Sequence, residues 1–185
     1  MTQKILMIID VQEVFKEGIW GARNNLQAEE NIKRLLKVWR AKGWKVVHIR
    51  HGSEDPTSIF YTHSDNFSFK EMVAPIEGEK IITKNVHSAF LGTDLEQYMD
   101  ACDPHSVVIT GLTTPHCIST TTRISKSLGY LTYVLSDATA AFGLTDHLGD
   151  YQSADRIHHF SLATLHEEFA IVVTTEQFIT SYLSS

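Results

Sequence analysis

Three side chains that could carry out acyl transfer follow predicted strands in this 185-residue sequence. Asp10 comes directly after the apolar run ILMII, Lys84 follows KIIT, and Cys117 lies six residues beyond Gly111, which ends the run SVVIT. A thiol can attack a carbonyl carbon, a carboxylate can accept and return its proton, and an ammonium can stabilise the developing negative charge. Taken alone, a cysteine near a helix start is more often a small core residue. The three side chains together predict a nucleophilic hydrolase.

The position of Cys117 suggests how its thiol would be activated. Thr114 can act as a helix N-cap and Pro115 suits the first helical position, which puts Cys117 in the first turn. We therefore expect the helix N-terminus, together with Lys84, to lower the pKa of the Cys117 thiol. The other cysteine, Cys102, ends a different predicted helix. Neither belongs to a C-x-x-C pair, so we expect free thiols, not a disulfide or a zinc site.

The elements that must position these side chains alternate along the chain. Continuous runs rich in Val and Ile, typical of buried parallel strands, predict six strands at 5–9, 45–49, 80–83, 106–110, 130–136 and 170–174. Helical patterns lie between them at 25–42, 94–102, 115–128, 153–168 and 175–183. This order predicts a three-layer α/β/α sandwich with a mainly parallel six-stranded sheet, as one domain over residues 1–185. In such sheets ligands bind beyond the carboxyl ends of the strands, where the three side chains lie.

Composition and charge exclude several classes of partner. The net charge of -6 comes from 22 acidic and 16 basic residues without a long run of either sign, which argues against nucleic acid and anionic membranes. No apolar run approaches the ~20 residues of a membrane span, and the N-terminus lacks a signal-peptide cleavage site, so we expect a cytoplasmic protein. DVQEVFKEG after the first strand contains neither G-x-G-x-x-G nor a P-loop, which argues against a nucleotide- or flavin-binding module. We expect a small-molecule substrate and no cofactor.

The sequence resembles the isochorismatase-like cysteine hydrolases, relatives of nicotinamidases and N-carbamoylsarcosine amidohydrolases. The resemblance is carried by DVQ at Asp10, by TKNVHSAFLGTDLEQYM around Lys84 and by GLTTPHC ending at Cys117, and LSDATAAF and FSLATLHEEFAIVVTT extend it over nearly the whole chain. It implies a catalytic triad of Asp10, Lys84 and Cys117 and a cis peptide bond between Leu112 and Thr113. It also implies an oxyanion hole made by the N–H groups of Thr113 and Cys117, and a homo-oligomer, either a dimer or larger.

Two departures from the family pattern narrow the range of reactions that the protein could catalyse. Nicotinamidases carry an Asp-Trp-His metal motif after the second strand, whereas this chain has HIRHGSEDP, so we expect no metal. Isochorismate-cleaving members lack the cysteine that is present here as Cys117. Hydrolysis of a C–N bond in an amide, ureido or carbamoyl compound is therefore favoured over vinyl-ether hydrolysis. A catalytically silent binding or interaction protein with the same fold stays as an alternative.

Four further residues are candidates for substrate binding. Phe15, five residues beyond Asp10, either lines the pocket or packs in the core. Trp20 could cover the substrate or pack on a neighbouring subunit. His116, next to Cys117, could reach the mouth of the pocket or simply satisfy the helix start. Phe90 belongs to the motif that follows Lys84.

The other histidines do not form a metal-binding pattern in the sequence. They are scattered over a strand and a loop or adjacent in one helix, and we expect structural or solvent-facing roles for His48, His51, His63, His158 and His159.

Overall fold

A computed structural model describes residues 3–16 and 18–183, so both ends of the predicted 1–185 domain and residue 17 lie outside the described part. Six strands form one sheet in the order β3-β2-β1-β4-β5-β8, and every neighbouring pair is parallel. The strands are β1 (Lys4–Ile9), β2 (Val46–His51), β3 (Lys80–Lys84), β4 (Ser106–Leu112), β5 (Thr132–Ala140) and β8 (Ile171–Val173), while β6 (Leu144–Thr145) and β7 (Tyr151–Gln152) form a separate hairpin. The predicted parallel sheet is confirmed.

Helices cover both faces of the sheet and complete the α/β/α sandwich. They are α1 (Ala28–Lys42), α2 (Leu95–Cys102), α3 (Ser119–Ser127), α4 (Ala154–Ala163) and α5 (Thr175–Gln177), the last continuing into a π-helical turn, Phe178–Tyr182. Residues of α1, including Trp39, pack with Phe178 on one face, and Met99 of α2 and Leu162 of α4 belong to the core on the other. None of the helices in the described residues is long and apolar enough to cross a membrane.

Two predicted boundaries were wrong by four residues or more. Strand β5 continues to Ala140 rather than ending at 136, because the register shifts between Ile109 and Gly111 and lets the polar end of β5 pair beside β4. Helix α4 ends at Ala163 rather than 168, because the chain turns back there: Glu167 has a positive φ of 67°, and His166 and Ala170 bridge to each other. The unpredicted β6–β7 hairpin lies in the segment between β5 and α4.

The strand order reverses between β1 and β4, which makes this the switch point of the sheet. These two strands run very close at their carboxyl ends: a Cβ on Gly111 would lie 2.0 Å from the carbonyl oxygen of Ile9, and Gly111 has a φ of +113°. Only glycine fits this position. Asp10 follows β1 directly, and the turn containing Cys117 follows β4, so the switch point brings both to one edge.

Candidate active site

Asp10 is held by the backbone at the end of β1. Its own N–H donates to the carbonyl oxygen of Ile49 at 2.8 Å, and its carbonyl oxygen accepts from the N–H of Gln12 at 2.9 Å. Its φ of 54° is left-handed, a region that aspartate tolerates better than most residues. Asp10 is 1% exposed, and its Oδ1 is buried without a hydrogen-bond partner. The site therefore contains one unused carboxylate acceptor.

Lys84, the last residue of β3, contacts both of the other predicted catalytic residues. Its Nζ donates to Oδ2 of Asp10 at 2.7 Å and to Sγ of Cys117 at 3.3 Å, and it lies 3.1 Å from Nδ1 of His51. An ammonium has three N–H donors, so these three contacts use all of them, and Nδ1 of His51 must be the acceptor. The Lys84 side chain is fully buried. The structure thus brings together the three predicted residues, which we call the triad.

Cys117 lies on a short π-helical turn, Thr114–Ile118, that leads into α3. The turn begins at Thr114, one residue earlier than predicted, because the N–H groups of His116 and Ile118 both donate to the carbonyl oxygen of Thr113, at 3.1 and 3.3 Å. The peptide bond between Leu112 and Thr113 is cis, the geometry that the resemblance implied. The turn places a nearly buried thiol beside backbone N–H groups at the start of a helix.

The expected lowering of the thiol pKa was wrong. Burial, reinforced by the nearby Asp10 carboxylate, raises the pKa of the Cys117 thiol to about 12, although Lys84 acts in the opposite direction. Burial also raises the pKa of Asp10 against the effect of Lys84, which makes its carboxylate a stronger base. The sequence could not reveal that the cysteine is desolvated next to an acid. The resting nucleophile is therefore a thiol with a base beside it, not a preformed thiolate.

A metal does not fit this group of residues. In the described part of the chain, one set of three side chains could supply a metal with ligands: Asp10, His51 and Cys117, whose ligand atoms lie within 4.8 Å of one another. All three contact Nζ of Lys84, so the ammonium already lies where a cation would bind. We conclude that Lys84 supplies the positive charge of the site.

Three imidazoles surround the nucleophile, and we call His51, His87 and His116 the mouth histidines. Nδ1 of His87 lies 3.7 Å from Sγ of Cys117, and its ring lies 6.0 Å from that of His116 and 6.5 Å from that of His51. His116 is exposed, and its Nδ1 lies 2.9 Å from Oγ1 of Thr113, the residue that precedes the turn. Burial, Lys84 and His87 lower the pKa of His51 to about 4, so that ring is neutral at pH 7.

Sequence reasoning missed two of these histidines. The sequence predicts a structural or solvent-facing role for His51. The structure places it as the last residue of β2, and the rule that ligands bind at strand ends could have selected it. His87 lies three residues beyond Lys84 in the loop after β3, and its sequence context carried no separate signal.

Aromatic side chains form a wall next to the mouth histidines. Phe15 lies 5.1 Å from Trp20, 6.0 Å from Phe60 and 6.0 Å from Phe142, measured between ring centroids, and Phe60 lies 4.6 Å from His51. Phe15 and Trp20 thus both lie next to Phe60, which contacts His51, the imidazole that accepts from Lys84. We call these four aromatic residues the aromatic wall.

Phe90 is not part of the aromatic wall. It is buried in the core with residues of α2, and its ring stacks on Tyr130 at 6.4 Å. The predicted substrate-binding role of Phe90 therefore has no support in its surroundings, because the ring packs in the core against Tyr130.

A cavity of about 820 Å³ lies on the other side of the aromatic wall. It shares Phe15 and Phe142 with the wall, but no triad residue lines it. Glu29 also lines it and accepts hydrogen bonds from Arg23 at 2.8 Å and from Lys70 at 2.7 Å. Since Asp10, Lys84 and Cys117 are all absent from its lining, this cavity is separate from the chemistry at Cys117.

Fold and site together define an α/β protein with a buried Asp-Lys-Cys triad at the switch point of a parallel sheet. The model of the isochorismatase domain matches residues 4–177, and the chain belongs to the isochorismatase family, which is hydrolytic. The uncharacterized isochorismatase family protein YrdC of Bacillus subtilis is 51% identical over 183 residues, covering 99% of this chain and 98% of that protein.

A solved structure and a named enzyme extend the comparison. A crystal structure of an isochorismatase-family protein from Chromobacterium violaceum matches with a TM-score of 0.93 and 35% identity, covering 96% of this chain and 92% of the other. Nicotinamidase 3 of Arabidopsis thaliana is 24% identical, covering 97% of this chain and 89% of that protein.

Proposed function

We propose that this protein is a cysteine hydrolase that cleaves a C–N bond of a small amide, ureido or carbamoyl compound through a thioester acyl-enzyme. The observation that carries the proposal is the shared ammonium of Lys84, which contacts both the nucleophile Cys117 and the base Asp10. The base keeps one oxygen, Oδ1, without a partner. Nucleophile, base and cation thus form one buried unit, and a relative named as a nicotinamidase supports C–N chemistry.

In the first half of the reaction, Sγ of Cys117 attacks the carbonyl carbon while its proton passes to Asp10. Because the pKa of the thiol is raised to about 12, proton transfer and C–S bond formation occur together. The carbonyl π electrons move to oxygen, where the N–H groups of Thr113 and Cys117 are the proposed donors. Collapse breaks the C–N bond, and Asp10 returns the proton to nitrogen. Ammonia or an amine leaves, and the acyl group stays on sulfur.

Lys84 stabilises the sulfur as its charge changes. Its N–H contact with Sγ is 3.3 Å in the resting site, and a donor of this kind binds a thiolate more tightly than a thiol. Water then attacks the thioester, the C–S bond breaks, and the acid is released with the thiol restored.

The surroundings favour an uncharged substrate over an anionic one. The cation in hydrogen-bond contact with the site is Lys84, and its three donors are already used by Asp10, His51 and Cys117. A substrate carboxylate would be desolvated here without a dedicated partner, whereas the aromatic wall suits a flat or apolar group. We infer that neutral amides and neutral carbamoyl compounds react better than ureido acids.

A substrate screen tests the proposed function. Primary amides, neutral carbamoyl compounds and ureido acids of similar size are assayed for ammonia release, and intact-protein mass spectrometry follows adducts on Cys117. We expect release from at least one neutral compound, an adduct equal in mass to its acyl group, and no turnover by Cys117→Ala or Asp10→Asn.

Cys102→Ala is the matched control and should keep full activity, because Cys102 lies at the end of α2, outside the triad. Turnover by Cys117→Ala at the wild-type rate would refute the mechanism. A wild-type protein that hydrolyses none of the compounds and forms no adduct would support the silent binding protein instead.

A further inference from the structure

The two sides of the nucleophile differ in solvent access. Asp10 and Lys84 are 1% and 2% exposed and lie on the buried side of Cys117, whereas His87 is an exposed loop residue. Nδ1 of His87 is nevertheless 3.7 Å from Sγ, within hydrogen-bond distance for sulfur. His87 is therefore the polar group that contacts Sγ from the solvent side of the site.

The other polar groups near Sγ are already committed. Lys84 uses its three N–H donors on Asp10, His51 and Cys117, so Nδ1 of His51 is occupied. Nδ1 of His116 is paired with the Thr113 hydroxyl at 2.9 Å. Among the mouth histidines, His87 is the one whose ring nitrogen contacts the reacting sulfur.

The second half of the proposed reaction is served by a base on this solvent side. Once ammonia has left, the attacking water enters from the side where His87 is exposed, whereas the free Oδ1 of Asp10 is buried away from solvent. A base on the entry side can take a proton from water as its oxygen attacks the carbonyl carbon.

We propose that His87 is the catalytic residue of deacylation, transferring a proton from the attacking water to the departing sulfur. This rests on the proposed thioester mechanism. Nδ1 of His87 accepts the water proton while the C–O bond forms. When the C–S bond breaks, its electron pair returns to Sγ of Cys117, and the proton on Nδ1 passes to that sulfur across the 3.7 Å contact. Thioester and water thus become acid and thiol, and His87 returns to its starting state.

The test separates the two halves of the reaction in His87→Gln, using a neutral amide that the wild type hydrolyses. Rapid-quench measurement should show a burst of about one ammonia per active site at the wild-type rate, followed by turnover about 10²-fold slower. Mass spectrometry should show the acyl adduct accumulating on Cys117. Hydroxylamine, a stronger nucleophile than water, should restore turnover, which it would not do if the loss of His87 impaired formation of the thioester.

His63→Gln is the matched control, an exposed histidine in the loop between β2 and β3, and should behave as wild type. Wild-type turnover by His87→Gln without an accumulating adduct would overturn this proposal alone. An equal loss of burst and steady-state rates in both His87→Gln and His87→Asn would also overturn it, since His87 would then act before the thioester. A wild-type protein that never forms an adduct would instead overturn the proposed function.

Discussion

Removing one member of the buried Asp10–Lys84 ion pair should destabilise the protein much more than removing both. The two side chains are 1% and 0% exposed and 2.7 Å apart. In Asp10→Asn the ammonium keeps only neutral acceptors, namely the amide oxygen, Nδ1 of His51 and the sulfur, and loses its counter-charge. Breaking a buried pair in this way costs about 3–5 kcal/mol of unfolding free energy, a large part of the roughly 5–15 kcal/mol of a typical domain.

The partner variant should behave similarly, but for a different reason. Lys84→Met leaves the Asp10 carboxylate without its donor, in addition to the Oδ1 that already lacks one. A carboxylate can relieve this cost by binding a proton, so we expect a smaller loss than in Asp10→Asn. The double variant Asp10→Asn/Lys84→Met carries no charge in the pair and should lie within about 2 kcal/mol of wild type while being inactive.

Urea unfolding of the four proteins, followed by tryptophan fluorescence and circular dichroism, measures this coupling. The matched control is the exposed pair Arg34–Glu176, also 2.7 Å long, whose removal should cost less than about 1 kcal/mol. If each single variant at Asp10 and Lys84 lost less than about 1 kcal/mol, or if the two losses were additive, our account of the pair would fail.

Three further outcomes are expected. Hydrogen bonds from its two cationic partners outweigh burial and hold the pKa of Glu29 at about 2, against 4.5 unfolded. A carboxyl group whose pKa is lowered by folding stabilises the folded state at pH values above its unfolded pKa. About 2–3 kcal/mol of unfolding free energy should therefore be lost as the pH falls from about 5 to about 2. Glu29→Gln should flatten this part of the curve of stability against pH. Gly111→Ala places a methyl group 2.0 Å from the Ile9 carbonyl oxygen and should cost more than about 4 kcal/mol in thermal or urea unfolding. Alkylation of Cys117 by iodoacetamide should rise about tenfold per pH unit from about pH 7 to about pH 10, because the pKa of its thiol is raised to about 12.

Matched controls separate these causes from general effects. Glu30→Gln, next to Glu29 but exposed, should leave the acid slope unchanged. Gly43 has a positive φ, but a Cβ added there would have no atom within 4 Å. Gly43→Ala should therefore cost only about 1–2 kcal/mol of unfolding free energy. Peptide mass spectrometry distinguishes Cys117 from Cys102. A plateau of Cys117 alkylation below about pH 8, an equal cost for both alanine variants, or the same acid slope in Glu29→Gln as in wild type would contradict the respective argument.

The sequence was a good guide wherever the signal was local. Apolar runs gave six strands within a few residues of their observed positions, and Gly129, with a φ of 93°, follows α3 as predicted. Local patterns failed where contacts with residues remote in the sequence determine the structure. Strand β5 extends because a register shift against β4 accommodates polar residues, and Phe60 and Phe142 reach the aromatic wall from loops far apart in the chain.

The sequence by itself determined the chemistry that is available: an acid, an amine and a thiol, each just beyond a predicted strand, in an order that resembles a hydrolase family. Tertiary structure alone decided their electrostatics and their neighbours. Burial beside Asp10 raises the pKa of Cys117, where a helix start suggested the opposite. The strand order β3-β2-β1-β4 places His51 against Lys84, and the loop after β3 places His87 against the sulfur. A pKa and a contact depend on groups that are remote in sequence, so neither could be predicted from local patterns.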